Sequence, residues 1–136
     1  MGASGDVVRQ AYDVFGRGEI DQFIKLLDDS VEWNIPAELP YGGIYRSPEA
    51  VVEMMSTISN YYLTRNLEIT SFDELDDLVV VRGRHFGKVT DGRDYDAGFA
   101  AFFTVHAGRI ATMREYVDPG KVILVLDSLK TENAGR

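Results

Sequence analysis

A single carboxylate, Glu115, stands where a side chain could perform acid–base chemistry. It alternates with Met113 and Val117 along a strand-like run, so these three side chains share one face. The preceding run places four small or aromatic residues on one face: Ala97, Phe99, Ala101 and Phe103. If both faces line the inside of a curved sheet, Glu115 is an acid among apolar neighbours. Such surroundings favour its neutral form and suit it to exchange protons with a ligand. The alternative is a partly exposed acid paired with an arginine.

Arg82 and Arg84 lie two residues apart on a predicted strand and therefore share a face. Two interpretations remain open. Inward-facing arginines would need anionic partners, such as Glu115 or a ligand, because an unpaired buried charge is costly. They could then stabilise a carboxylate, an enolate or a developing alkoxide. Alternatively, the two arginines belong to a solvated face, with Val79 and Val81 inside.

Asn34 and Glu32 share a face of an earlier predicted strand, and the Asn34 amide could orient a water molecule or a carbonyl group. Trp33 points the other way, which predicts core packing beneath the first helix. Three tyrosines are candidate donors at a pocket rim, although aromatic residues at helical spacing more often belong to a core: Tyr12, Tyr41 and Tyr45.

The composition excludes several classes of function. The chain has 136 residues, no cysteine and a net charge of −8, which excludes thiol chemistry and argues against a nucleic-acid or anionic-membrane surface. His85 and His106 lie far apart with no carboxylate at ligand spacing, and the sequence has no phosphate-binding glycine loop. We therefore predict no metal, no cofactor, no membrane span and a cytoplasmic location.

Helices are predicted in the first half of the chain. Apolar spacing indicates one helix around Val7–Phe15 and a short one that begins near Ile20. Ser47-Pro48 opens a third helix as N-cap and first helical residue. Between the second and third helices, Val31–Ile35 is predicted to be a strand and Pro36–Arg46 a loop.

The second half of the chain reads as sheet. Four strand-like runs follow one another: Leu63–Phe72, Leu78–Val89, Tyr95–Val105 and Ile110–Val117. Turn residues separate them at Asp76-Asp77, Asp91-Gly92 and Ala107-Gly108, which predicts an antiparallel meander. Helices followed by a meander are typical of an α+β fold, and residues 1–136 are predicted to form one domain.

The chain resembles the SnoaL-like branch of the nuclear-transport-factor-2-like superfamily over Val7 to Leu126. The segments that carry the resemblance are Leu26–Asp29, Val31–Asn34, Tyr45–Glu49, Gly108–Ile110 and Arg114–Asp118. The resemblance implies a cone-shaped, curved antiparallel sheet packed against the three helices and enclosing an apolar pocket. It also implies a homodimer, because family members pair through the open sheet. The superfamily contains isomerases, cyclases, dehydratases, epoxide hydrolases and binding proteins, so the resemblance is specific for the fold and weak for the reaction.

The limonene-epoxide-hydrolase pattern gives the closest register within that superfamily. Its arginine and aspartate fall on Arg82 and Arg84, and its water-binding asparagine falls on Asn34, with a nearby tyrosine position on Glu32. Its arginine–aspartate–tyrosine–phenylalanine run falls on Arg114–Val117. Arg84 thus replaces the acid that would protonate an epoxide. The ketosteroid-isomerase pattern fits worse, because its general base falls on Asn34 and its oxyanion-hole acid falls near Ala101.

The sequence therefore predicts a cofactor-independent acid–base enzyme acting on a small lipophilic molecule by cyclisation, epoxide opening or isomerisation. Glu115 would transfer protons, Asn34 would orient the attacking group, Arg82 would position Glu115, and Arg84 would stabilise negative charge. The predicted substrate-binding residues are Glu32, Tyr12, Tyr45, Phe86, Ala97, Phe99, Met113 and Val117. One alternative is a non-catalytic binding protein of the same fold, which the departure at Arg84 would favour. Another is a structural dimerisation module.

Overall fold

The structure, a computed structural model, describes residues 2–118. Three helices and six strands occur in this range: α1 (Ala3–Gly16), α2 (Ile20–Lys25), β1 (Leu27–Ile35), β2 (Gly43–Tyr45), α3 (Pro48–Ile58), β3 (Tyr62–Leu75), β4 (Leu78–Val89), β5 (Asp94–His106) and β6 (Arg109–Val117). The predicted resemblance from residue 119 to Leu126 lies outside the described residues.

The helices form where apolar spacing and capping residues predict them. In α3, the Ser47 side chain accepts a hydrogen bond from the Ala50 backbone N–H at 3.1 Å, and proline occupies the first turn. The helix buries Val51, Met54 and Ile58 at i, i+3 and i+7. α1 likewise buries one stripe, formed by Val8, Ala11 and Val14. Both predicted helices are therefore confirmed, and each presents one apolar face to the sheet.

The six strands form one sheet in the order β2-β1-β6-β5-β4-β3. From β3 to β6 each strand pairs antiparallel with the next, as predicted. β1 and β6, however, pair in parallel, with Trp33 opposite Met113. The sheet is thus mixed rather than wholly antiparallel, because the chain leaves α2 in the direction of β6 and runs alongside it.

Two boundaries near β1 differ from the prediction. β1 begins at Leu27, so the acidic residues predicted to interrupt the pattern lie within the strand, where an irregularity in its pairing with β6 accommodates them. The predicted loop contains the short strand β2, in which Tyr45 pairs with Trp33. Short polar and glycine-rich strands lack the apolar alternation that sequence reading depends on.

The hydrophobic core lies between the helices and the concave face of the curved, unclosed sheet. Val79 and Val81 are fully buried on this face of β4, and Phe103 is buried on β5. The predicted α+β class is confirmed. Among the described residues, no helix combines the length and the apolar character that crossing a membrane would require.

Candidate active site

A cavity of about 360 Å³ opens between the helices and the concave face of the sheet. Most of its wall is aromatic or aliphatic: Phe15, Phe23, Trp33, Met54, Phe99, Phe103 and Met113. Four residues contribute polar side chains to its lining: Tyr12, Arg65, His85 and Glu115. Asn66 also borders it, although its side chain donates a hydrogen bond to the Phe86 carbonyl. An apolar pocket with a few polar groups is the usual form of a small-molecule site.

His85 and Glu115 form the polar centre of this cavity. They lie on β4 and β6, on either side of β5, and the His85 Nε2 atom is 3.4 Å from the Glu115 Oε1 atom. Their side chains are only 14% and 16% exposed. Neither His85 nitrogen has a hydrogen-bond partner among residues 2–118, so the contact with Glu115 is a close approach rather than a hydrogen bond. Both His85 nitrogens are fully buried, so the imidazole keeps unused hydrogen-bonding capacity directly beside the Glu115 carboxylate.

Two glycines on the concave face of β4 leave His85 without a neighbouring side chain on that face. Gly83 and Gly87 lie two residues to either side of it, and a side chain at either position would collide with a β3 backbone carbonyl, of Glu68 or of Thr64 respectively. Gly87 also has a φ of +153°, which disfavours any other residue. The imidazole stacks on Phe99, with ring centroids 4.4 Å apart and an interplanar angle of 28°. The glycines and this stacking fix the ring beside the cavity.

Tyr12 supplies the cavity with a hydroxyl group from α1. Its ring packs edge-to-face against Phe72 and Phe103, at 6.2 and 5.9 Å between centroids. Burial raises the pKa of Tyr12 strongly, and the negative charge of Glu115 raises it further. The phenol therefore stays protonated across the physiological range. No residue in 2–118 forms a hydrogen bond with its hydroxyl, which leaves that group available to a ligand.

A second, water-sized space of about 10 Å³ lies on the far side of His85 and Glu115. Three buried tyrosines contribute to its wall: Tyr41, Tyr62 and Tyr95. The Tyr41 and Tyr62 hydroxyls are 2.7 Å apart and hydrogen-bonded, whereas the Tyr95 hydroxyl has no hydrogen-bond partner within residues 2–118. Burial raises the pKa of all three phenols. We call this the tyrosine chamber.

Arg65 lies at the exposed rim and contributes to the wall of both spaces. Its inward position depends on an irregularity in β3. Tyr62 pairs with Val89 and Thr64 pairs with Lys88, so Leu63 is an extra residue in the strand. A one-residue bulge exchanges the two faces of the strand that follows it. As a result Arg65 pairs with Gly87 on the concave side, instead of pointing outward.

Several predicted site residues do line these spaces. Glu115, Tyr12, Phe99 and Met113 contribute to the main cavity. Ala97 and Val117 contribute to the wall of the tyrosine chamber. The geometry thus places six of the predicted residues around one site, and their chemical roles stay predictions.

The prediction that Arg82 and Arg84 face the pocket is wrong. Arg82 lies on the outer face, where its guanidinium is 3.4 Å from Asp73. Arg84 lies on the same face, 2.6 Å from Asp96 and 3.4 Å from Glu68. Burial of the alternating valines fixes this orientation, because it leaves the charged residues to solvent. Arg82 therefore cannot position Glu115, and Arg84 cannot stabilise charge in the cavity.

Four other predicted site residues also lie outside the cavity. Asn34 and Glu32 alternate with buried Val31, Trp33 and Ile35 and so point away from it, and Glu32 lies 3.9 Å from Arg46. Trp33, predicted to point away from Asn34, forms part of the cavity wall. Phe86 lies on the outer face, with the Arg84 guanidinium 4.1 Å above its ring. Tyr45 donates a hydrogen bond to the Tyr41 carbonyl at 2.7 Å and borders neither space.

His85 and Arg65 are the functional candidates that the sequence analysis missed. The signal for His85 was present, since it alternates with Val79 and Val81 and is flanked at i−2 and i+2 by glycine. Arg65 had no comparable signal, because the bulge at Leu63 is not visible as periodicity. Among residues 2–118 no group of three histidine, aspartate or glutamate side chains is placed to hold a metal ion.

Comparison with known proteins agrees with this fold. A family model described as SnoaL-like domain matches residues 8–113. The uncharacterized proteins Mb0035 of Mycobacterium bovis and Rv0034 of Mycobacterium tuberculosis are each 27% identical over 121 residues, which covers 84% of this chain and 88% of theirs. An NTF2-like protein of unknown function from Burkholderia pseudomallei superimposes with a TM-score of 0.85 at 21% identity, covering 93% of this chain and 98% of its own. TerC, co-crystallized with polyporic acid, gives a TM-score of 0.80 at 20% identity, with 92% and 98% covered.

Proposed function

The chain belongs to the SnoaL-like family, as its sequence predicted, and we propose that it is a cofactor-independent enzyme that moves protons on a small lipophilic molecule. The observation that carries the proposal is the 3.4 Å approach of His85 and Glu115 in the wall of a largely apolar cavity. A carboxylate and an imidazole held together away from bulk water are suited to general acid–base catalysis. The co-crystallization of TerC with polyporic acid supports a small-molecule ligand for this fold.

Glu115 is the proposed proton acceptor. It would take a proton from a carbon next to a carbonyl group and leave an enolate. In an isomerisation, Glu115 would return the proton at a different carbon. In a cyclisation, the enolate carbon would attack a second carbonyl of the same molecule, and the alkoxide formed from that carbonyl would take the proton back from Glu115. His85 lies within reach of the carboxylate and would serve as the second proton-carrying group.

Tyr12 is the proposed donor to the developing enolate oxygen. Its hydroxyl stays protonated, because burial, and then the charge of Glu115, raise its pKa. A neutral donor already in place in an apolar site stabilises negative charge more effectively than it would in water. The arrangement thus contains an acceptor, a second proton carrier and an oxyanion donor.

Two earlier alternatives lose their support. Epoxide opening relied on Asn34 to orient water, and Asn34 points away from the cavity. A non-catalytic binding protein was favoured by the arginine at position 84, which lies on the outer face and does not alter the cavity. We therefore propose isomerisation or cyclisation as the reaction class.

Deuterium exchange tests the proposal without knowledge of the substrate. We expect the protein to accelerate exchange of the acidic C–H protons of 2-tetralone in D2O, followed by NMR. Glu115→Gln keeps the shape of the side chain but removes its basicity, so the enzymatic rate should fall roughly 10²–10⁴-fold. Glu32→Gln, an exposed carboxylate on the outer face of β1, is the matched control and should leave the rate unchanged.

Two results would overturn the proposal. One is the absence of any acceleration by the wild-type protein. The other is a Glu115→Gln variant that exchanges 2-tetralone at the wild-type rate. Urea unfolding of both variants should accompany the assay, so that a loss of rate is not mistaken for a loss of structure.

A further inference from the structure

Arg65 is a cationic side chain without a carboxylate partner among residues 2–118. The arginines of the neighbouring strand β4 differ from it, because Arg82 pairs with Asp73 and Arg84 pairs with two carboxylates. The described contact of Arg65 is with an aromatic ring, since its guanidinium carbon lies 5.7 Å from the centroid of Tyr62. It therefore retains its charge and its fork of N–H donors for another group.

The position of Arg65 directs this charge at the site. Arg65 lines both the main cavity and the tyrosine chamber. It lowers the pKa values of Tyr12, Tyr41, Tyr62 and Tyr95, against the larger opposite effect of burial. Its field therefore reaches hydroxyl groups on both sides of His85 and Glu115.

The backbone holds Arg65 in place. The bulge at Leu63 turns it to the concave side, and Gly87 opposite has no side chain to block the approach of β3. The chain as a whole carries a net charge of −8, which repels anions over long range. Arg65 therefore places a positive charge at the rim of the cavity, although the protein as a whole is negatively charged.

We propose that the cavity binds a lipophilic molecule with one anionic oxygen group, a carboxylate, phenolate or stabilised enolate, which pairs with Arg65 at the rim. This inference deepens the proposed function and rests on it for the use of the cavity. The apolar body of the ligand extends inward, among Phe15, Trp33 and Phe103. A carboxylate at the inner end would approach Glu115, so like-charge repulsion selects the orientation with the anionic group outward.

A pair of isosteric probes tests the charge requirement. The probes are 4-phenylbutanoate and its neutral analogue 4-phenylbutanamide. Trp33 is the single tryptophan of the chain and lies in the cavity wall, so its fluorescence reports binding without a label. We expect the carboxylate to bind about tenfold more tightly than the amide, because an arginine–carboxylate contact is charge-assisted. This preference should decline as ionic strength rises.

Substitutions of arginine test whether the preference for the carboxylate comes from Arg65 or from positive charge elsewhere on the surface. Arg65→Met keeps much of the apolar stem and removes the charge, so the two probes should bind equally. Arg65→Lys should keep part of the preference, since it retains the charge but loses the planar fork. Arg82→Met is the matched control: it removes an arginine of the outer face and should leave the preference intact.

Three results would overturn the inference. They are equal binding of the two probes to wild type, no saturable binding of the carboxylate, and a preference that survives Arg65→Met. The Glu115→Gln variant keeps this test apart from the proposed function, because it should lose deuterium exchange yet retain the preference for the carboxylate. A protein that shows the preference but no exchange would refute the enzyme and leave the anion site standing.

Discussion

The two faces of the central sheet treat polar side chains in opposite ways. On the outer face of β4, Arg82 and Arg84 form ion pairs with carboxylates of neighbouring strands, at 61% and 38% side-chain exposure. On the concave face of the same strand, His85 is nearly buried and lacks a hydrogen-bond partner within residues 2–118. Neighbouring residues of one strand thus face environments as different as water and a protein core.

This difference shows which polar groups are candidates for function. Exposed ion pairs contribute little free energy, since water competes for both partners. An unsatisfied polar group in a core costs about 1–3 kcal/mol, so it persists only where something else compensates. The His85 nitrogens and the Tyr95 hydroxyl are buried without a hydrogen-bond partner in the described part of the chain, and both residues border the tyrosine chamber. Arg65 borders the same chamber from the exposed rim and has no carboxylate partner among residues 2–118. Incomplete pairing, rather than charge alone, marks the site.

The largest effect on stability is expected when the same polar side chain is introduced on each of the two faces of β4. Val81 is fully buried on the concave face and Val80 is half-buried on the outer face. Val81→Asn should lower the free energy of unfolding by about 3–5 kcal/mol, from lost burial and from an unsatisfied amide. Val80→Asn should cost about 1 kcal/mol or less, because water can solvate its amide. Similar losses in urea unfolding of the two variants would break the distinction between the faces.

The sequence predicted the elements well because their patterns are local. The bounds of β4 and the N-cap of α3 follow from alternation and from Ser47-Pro48. Glu115 was also found, since Met113 and Val117 indicate the apolar side of β6. Which side of β4 faces inward was harder to predict from one sequence. The register of the related family favoured the side of Arg82 and Arg84, whereas the alternation of Val79 and Val81 favoured the other side and was correct.

Two further features of the site could not be found from local patterns. The bulge at Leu63 changes the face of Arg65 through pairing with another strand, which periodicity does not record. The tyrosine chamber joins residues from the four strands β3 to β6 and the loop before β2, so it exists only after the sheet has curved. Chemistry that depends on such long-range contacts needs the fold before it can be recognised.

An intermediate test uses alkaline pH to charge the concave face. Burial raises the pKa of Tyr41, Tyr62 and Tyr95 above the ordinary value of 10.0. Below that value both folded and unfolded phenols are protonated, so stability does not depend on them. Above it the unfolded chain releases protons that the folded chain retains, which favours unfolding. At about pH 11, Tyr41 and Tyr95 should each lower the free energy of unfolding by about 1.4 kcal/mol, because burial keeps their folded pKa values well above that pH. Tyr62 should lower it by at most the same amount.

Urea unfolding from about pH 8 to about pH 11 measures this loss, about 3–4 kcal/mol for the three tyrosines together. A variant with all three replaced by phenylalanine is the control: it should lose this part of the alkaline decline and keep the part due to Tyr12, whose pKa burial also raises. Replacing Tyr41 and Tyr62 together removes both partners of their hydrogen bond, so neither hydroxyl is left unpaired. A wild-type protein as stable at the upper pH as at the lower would contradict the assignment of these phenols to the buried face.

The smallest expected effect distinguishes two hydroxyls within the tyrosine chamber. Tyr62 is hydrogen-bonded to Tyr41 at 2.7 Å, so Tyr62→Phe leaves a buried hydroxyl unpaired and should cost about 1–2 kcal/mol. Tyr95 has no hydrogen-bond partner among the described residues, so Tyr95→Phe should change stability by less than about 0.5 kcal/mol, or increase it. Both rings remain in place, which makes each variant a control for the other, and urea unfolding measures both. A loss at Tyr95 as large as that at Tyr62 would mean that its hydroxyl is satisfied in solution, most simply by a water molecule in the chamber. In that case a water molecule would occupy the chamber next to His85 and Glu115. The polar groups of the concave face would then have hydrogen-bond partners, and the contrast between the two faces of the sheet would be weaker.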